Sequence, residues 1–404
     1  MERLELYRQL AQPATTRILY YVIDGLGGLP FSAGGPTELE TAHTPTLDQL
    51  ARQGSTGLIT PVLAGIAPGS GPAHLALFGF DPTETTVGRG VLAALGIGFE
   101  LRPGDVAARI NFCTLDGEGK VVDRRAGRID SPEGAPLAER LDGMELAPGV
   151  DCMVRHVKQY RACLILRGSG LDGRIADTDP QVTGEPARQP QPLHPDADST
   201  ASLVASFIDR ARLLLADQSR ANGVLLRGFD SYQPLPSLDE LYGIRAAAVA
   251  AYPMYRGVAR AVGMRVVEVD DDPRSLARAA SRALEDHDFI YVHYKTTDSR
   301  GEDGDFDAKV GEIEQADHLA NQLLENSFDV VMVTGDHSTP ALLARHSWHP
   351  VPLLLWGGGC RAAAGASESF GEKACLHGAL GQLQSTDVLP LVLAQAGRLA
   401  KFGA

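Results

Sequence analysis

Cysteine is scarce in this 404-residue chain: the five residues at 113, 152, 163, 360 and 375 are scattered and form no CxxC pair. That excludes a zinc knuckle and a disulfide framework, and a core of this size needs no staples. Basic residues are outnumbered, 37 Lys and Arg against 51 Asp and Glu, which leaves a formal net charge of −14. Such a field disfavours nucleic acid and anionic membranes as partners. No run approaches the ~18 apolar residues of a membrane span, and the opening "MERLELYRQLAQPATT" carries charges where a signal peptide needs an apolar core. A cytoplasmic protein is expected. No dinucleotide fingerprint is present either, because Pro30 breaks GxGxxG in "DGLGGLP".

What is present is alternation. "RILYYVID" (17–24), "IRAAAVA" (244–250), "MRVVEV" (264–269), "FIYVHY" (289–294), "DVVMVT" (329–334) and "VPLLLW" (351–356) read as buried strands, as does "GVLLRG" (223–228). Helical spacing follows in "TPTLDQLARQG", "MYRGVARAVG", "RSLARAASRALED" and "AKVGEIEQADHLANQLLEN". This order predicts a mostly parallel α/β sheet with helices on both faces. Between about 110 and 220 the segments become shorter and the loops Pro-rich. That stretch reads as a second α+β domain, 111–220, inserted into a core made of 1–110 and 221–404.

Ligands of open α/β sheets collect at the carboxyl ends of the strands. Three predicted strands run directly into candidate metal ligands: Asp24, Asp298, and Asp336 with His337; His346 follows in "ARHSWHP". Each has a bland reading. Asp24 suits an Asx-turn, Asp336 a helix N-cap, and His337 a buried, satisfied imidazole. Three acidic strand ends with clustered His in one sheet favour a metal site.

Ser70, in "APGSGPAHLALFGFDP", suits a helix N-cap and equally a nucleophile for phosphate, since free N–H groups favour an anion there. "TDSRGEDGD" (297–305) packs Asp298, Glu302, Asp303 and Asp305 into nine residues. It fails as an EF-hand, with Arg300 at the third position and Lys309 where the final Glu belongs. Asp303 and Asp305 read as the acidic start of the next helix.

In order along most of the chain, "YVIDGLGG", "TELETAHTPTLDQLARQG", "GIGFELRPGDVAARINF", "YKTTDSRGEDGDFDAKV" and "TGDHSTP" resemble the archaeal-type, cofactor-independent phosphoglycerate mutases of the alkaline phosphatase superfamily. The resemblance implies an alkaline-phosphatase-like α/β core with an inserted smaller α+β cover domain. It implies interconversion of 3-phosphoglycerate and 2-phosphoglycerate without 2,3-bisphosphoglycerate. Ser70 would be the phosphorylated nucleophile. Asp24, Ser70, Asp336 and His337 would surround one divalent ion, and Asp298, residue 302 and His346 another. Mn²⁺ is the metal implied, with Zn²⁺, Co²⁺ or Mg²⁺ as substitutes.

The chain departs from that family in two places. Ser70-Gly71-Pro72-Ala73-His74 stands where Ser-Asp-Thr-Ala-His is usual, and Glu302 stands where the family has His. For a small phosphorylated substrate with a carboxylate, the candidate cations are Lys295, Arg124, Arg125, Arg128, Arg161 and Arg227. The rival readings are a metal-dependent phosphomonoesterase or phosphonate hydrolase on the same scaffold, and a non-catalytic binder of a phosphometabolite. Composition leaves room for a homo-oligomer.

Overall fold

The computed structural model describes residues 2–357 and 367–403, so Cys360 lies outside the described residues. Its strands are, in chain order, β1 (Ile18–Ile23), β2 (Ser55–Thr60), β3 (Val106–Leu115), β4 (Val121–Asp123), β5 (Val150–Lys158), β6 (Arg161–Gly168), β7 (Gly223–Ser231), β8 (Ala246–Val249), β9 (Arg265–Val267), β10 (Phe289–Tyr294), β11 (Val330–Thr334), β12 (Val351–Gly357) and β13 (Gly381–Gln384). Two compact units result, one from 1–86 with 236–404 and the other from 87–235. Among the described residues no helix is long and apolar enough to cross a membrane.

The first unit holds an eight-stranded sheet in the order β13-β2-β12-β11-β1-β10-β8-β9. β11, β1, β10, β8 and β9 run parallel, while β12 is antiparallel to both of its neighbours. Every residue of β1, β10 and β11 is buried, which requires cover on both faces and explains runs such as "ILYYVI" that do not alternate. Parallel pairing also gathers strand ends. Ile23 lies opposite Tyr294 and Val22 opposite Thr334, so the residues after β1, β10 and β11 emerge at one edge. Because β2 and β12 are antiparallel, with Ile59 opposite Val351, the loop leaving β2 and the loop entering β12 open at that same edge.

"STGLIT" escapes a strand reading because four of its six residues are small or polar, yet all six residues of β2 are buried. "GVLLRG" is the clearest correction. It was expected in the core sheet, but β7 pairs antiparallel with β3, with Ile110 opposite Leu226, in a five-stranded antiparallel sheet of the second unit. The unit runs from Val87 to Leu235, wider at both ends than the expected 111–220, and the β7 pairing belongs to its C-terminal extension. Its core joins Ile110, Phe112 and Leu164 of the sheet to Leu141 and Phe207 of the helices Ser131–Leu141 and Asp198–Leu214.

Candidate metal centre and nucleophile

The turn after β1 needs glycine. Gly25 has φ +64°, and a Cβ there would lie 2.8 Å from Cβ of Asp298. At Gly27 a Cβ would lie 1.9 Å from Oγ of Ser338. The loops after β1, β10 and β11 can therefore close on one another, and they bring Asp24, Asp298, Asp336 and His337 together, all fully buried or nearly so.

Hydrogen bonds fix the imidazole tautomers. The Thr339 hydroxyl donates to Asp298 Oδ1 at 2.7 Å. Its single proton is thereby used, so His337 Nδ1, 3.0 Å from the same oxygen, must donate to it. His337 Nε2 then carries the lone pair. It lies 3.1 Å from Ser70 Oγ, 3.2 Å from Asp336 Oδ2 and 3.5 Å from Asp24 Oδ1. Burial pushes this imidazole down to about 3, with the surrounding carboxylates opposing. His346 is arranged likewise. Its Nδ1 donates to the Pro68 carbonyl at 2.9 Å, leaving Nε2 to face Asp298 Oδ1 at 3.5 Å and Glu302 Oε1 at 3.6 Å.

Two places thus exist where acceptors face acceptors with no proton between them. Asp24 Oδ1 and Asp336 Oδ2 are buried and have no hydrogen-bond partner. Unpaired buried carboxylate oxygens are costly unless a cation meets them. Asp24, Asp336 and His337 offer ligand atoms within 4.8 Å of one another, and so do Asp298, His337 and His346. The donor set of carboxylate and imidazole suits a divalent ion.

Comparisons with known proteins agree with this geometry. Residues 51–220 match the family model described as 2,3-bisphosphoglycerate-independent phosphoglycerate mutase. Over 408 aligned residues, all of both chains, the sequence is 46% identical to a Thermus thermophilus protein named as a probable 2,3-bisphosphoglycerate-independent phosphoglycerate mutase. The chain belongs to that family. A similarly named Thermotoga neapolitana protein is 43% identical over the whole of both chains. Among solved structures, a Pyrococcus horikoshii protein matches with TM-score 0.83 and 30% identity, covering 96% of this chain and 99% of its own. The cofactor-independent phosphoglycerate mutase of Thermoplasma acidophilum matches with TM-score 0.71 and 29% identity, covering 95% of this chain and 100% of its own.

In this member of the mutase family Ser70 is the first residue of the helix Ser70–Leu77, but Gly69 is the N-cap and no side chain caps the helix. The cap reading of Ser70 therefore fails, and its hydroxyl is free to face His337. Asp336 caps no helix. Its Oδ1 accepts from the backbone N–H groups of Gly25 at 3.1 Å and His337 at 3.0 Å. Glu302 ends the helix Thr296–Glu302 with its side chain 55% exposed, outside both groups of three. Burial first, then the Asp298 charge, raise its carboxyl above the usual range. Asp305 N-caps the helix Phe306–Leu323 by accepting from Ala308 N–H at 3.0 Å, while Asp303 is the C-cap of the preceding helix.

Lys295 lies between the two groups: its ammonium donates to Asp298 Oδ2 and sits 3.2 Å from Asp24 Oδ2. Burial pulls its pKa down, but Asp24 and Asp298 outweigh it and raise it. The Arg candidates all belong to the second unit. Arg124 makes a bidentate pair with Asp179 at 2.8 and 2.7 Å, and Arg227 meets Asp177 at 3.3 Å and Asp179 at 3.5 Å. Arg161 packs on the Tyr160 ring at 4.6 Å, whereas Arg125 and Arg128 are exposed.

Sequence reasoning missed the layer beneath. Tyr255 donates to Asp24 Oδ2 and stacks on His293 at 3.6 Å between centroids. His74 Nδ1 donates to the Ser70 carbonyl at 2.9 Å and lies 3.3 Å from Asp336 Oδ2. Two signals were available: the histidine inside the otherwise apolar "FIYVHY", and His74, which matches the last position of the Ser-Asp-Thr-Ala-His pattern.

Proposed function

We propose that this chain interconverts 3-phosphoglycerate and 2-phosphoglycerate independently of 2,3-bisphosphoglycerate, through a phosphoserine at Ser70. The observation that carries this reading is the 3.1 Å approach of Ser70 Oγ to the lone-pair nitrogen of His337, beside two unpaired buried carboxylate oxygens. A hydroxyl at such a place can attack phosphorus.

Asp24, Ser70, Asp336 and His337 Nε2 would hold one divalent ion; Asp298, His346 and Glu302 would hold the other, with Mn²⁺ first and Zn²⁺, Co²⁺ or Mg²⁺ as substitutes. Bound there, the ions supply Lewis acidity toward the transferring group and lower the pKa of the attacking hydroxyl. The chain's own residues do the rest. Ser70 Oγ gives up its proton and forms a bond to phosphorus as the ester bond to the C3 oxygen breaks, and that oxygen takes up a proton in exchange. Glycerate turns, its C2 hydroxyl loses its proton as the oxygen bonds to phosphorus, the bond from phosphorus to Ser70 Oγ breaks, and the serine oxygen takes up a proton. Lys295 would receive an anionic group of the substrate while pairing with Asp24 and Asp298. Water must be kept away, since it would hydrolyse the phosphoserine. The second unit would cover the substrate, with Arg124, Arg125, Arg128, Arg161 and Arg227 as its candidate cations.

The test is incubation of the manganese-loaded protein with 3-phosphoglycerate, following 2-phosphoglycerate and free phosphate together. The mutase reading expects 2-phosphoglycerate with little phosphate. Phosphate as the main product would replace it with the phosphomonoesterase reading.

A further inference from the structure

Lys309, the residue that spoils the EF-hand spacing, is completely buried, as is Glu38, whose Oε1 lies 4.0 Å from its ammonium. A buried lysine is expensive unless its protons are used. Here they reach two specific carbonyls: Nζ donates to Gly27 O at 3.0 Å and to Thr339 O at 2.8 Å. Glu38 mirrors the arrangement with its acceptors. Oε2 accepts from Leu29 N–H at 3.2 Å and Oε1 from Ala341 N–H at 2.7 Å.

Each partner therefore makes one bond to the loop after β1 and one to the loop after β11. Those loops carry Asp24 on one side and Asp336 with His337 on the other. Between the same loops Thr339 N–H donates to Gly27 O at 3.0 Å. Thr339 also bears the hydroxyl that fixes the His337 tautomer and donates to Asp298 Oδ1. Neither Lys309 nor Glu38 belongs to the candidate ligand groups.

We infer that Lys309 and Glu38 form a buried positioning pair, which sets the spacing of the two ligand-bearing loops and so governs metal affinity rather than folding. This rests on the metal reading given above. A pair that served only the fold could be replaced by neutral side chains without loss. A pair that sets ligand geometry could not, because removing groups that orient ligands costs 10–100-fold in affinity, as an order of magnitude.

The experiment compares wild type, Glu38→Gln, Lys309→Met and the double variant Lys309→Met/Glu38→Gln as full-length, metal-free proteins. Urea unfolding reports the fold, and Mn²⁺ titration followed by electron paramagnetic resonance of the free ion reports affinity. Each single variant should lose stability, since one buried charge is stranded. The double variant should regain most of the unfolding midpoint yet bind Mn²⁺ at least roughly tenfold more weakly than wild type. Affinity that recovers together with stability would overturn the inference. If Lys309→Met fails to fold, Glu38→Gln and the double variant still decide it. A second arm needs no metal: the Thr339 amide should exchange with solvent at least about tenfold faster in the double variant, with β1 amides unchanged, if the pair holds the loops. Unchanged Thr339 exchange would sink the positioning role. Absence of Mn²⁺ binding in wild type would instead sink the metal reading, and the exchange arm keeps those two failures apart.

Discussion

The imidazoles of His337 and His346 stack with ring centroids 3.7 Å apart, yet their lone-pair nitrogens address different carboxylates: Asp24 and Asp336 for one, Asp298 and Glu302 for the other. One stacked pair thus divides the site into two acceptor pockets. Truncating His346 should empty only one of them. His346→Ala is expected to halve the manganese content measured by elemental analysis, and to leave the ion near Asp24 and Asp336 in place. Retention of two ions would remove His346 from the ligand set.

Ser70→Ala should abolish phosphoryl transfer while the fold persists. Gly69, not Ser70, is the N-cap, so the substitution forfeits no capping bond and should cost less than ~1 kcal/mol. Parallel activity and urea-unfolding measurements check both halves. Full turnover in a folded variant would dismiss Ser70 as the nucleophile.

Chelation should stop turnover without unfolding the chain, because the central strands β1, β10 and β11 of the first unit are buried throughout by largely apolar side chains. Returning Mn²⁺ to about 100 times its dissociation constant should then add ~2.7 kcal/mol to the unfolding free energy if one site is filled. Thermal unfolding with and without metal measures it. A collapse of helical circular dichroism on chelation would show that the metal is structural.

Acid should weaken the metal-free protein through His337. An unfolded imidazole takes up its proton near 6.5, whereas the buried folded one resists until about 3. Between these values the unfolded chain binds more protons, so stability falls as pH falls, by about 1.4 kcal/mol per pH unit from this group. The stability difference between wild type and His337→Gln should shrink at that slope on acidification. A difference independent of pH would mean that His337 titrates normally in the fold.

Glu302→Gln should alter folding stability by no more than about 0.5 kcal/mol, as befits a side chain that is 55% exposed. If Glu302 completes the group of Asp298 and His346, the same change weakens one of the two ions, and Glu302→His restores it with a preference for softer metals. Mn²⁺ and Zn²⁺ titrations of the three proteins decide. Identical affinities would mark Glu302 as a surface acid.

The carboxyl-end residues were legible because a buried parallel strand leaves a local trace: an apolar run stopped by a functional side chain. Asp24, Asp298, Asp336 and His337 all carry that trace. Tyr255 does not, since what brings it under the site is the packing of a helix whose apolar stripe looks like any other, and His74 stands out only by its place in the motif after Ser70. β7 was misassigned for a related reason. "GVLLRG" records burial but not partner, and its partner β3 is more than a hundred residues away. Glu302 shows the reverse case, in which spacing places a residue in a motif but is silent about its exposure.

Lys295 gives the assembly an order in time. Its ammonium already bridges Asp24 and Asp298, the acids of the two pockets, so a newly made chain carries a counter-charge of its own before any ion arrives. Mutual repulsion among the buried acids is relieved from within, and the chain can finish folding in a cell short of metal. A divalent ion, if one is held there, would then enter a site whose acids are already gathered and partly neutralised, late in the life of the chain rather than as a condition of its folding.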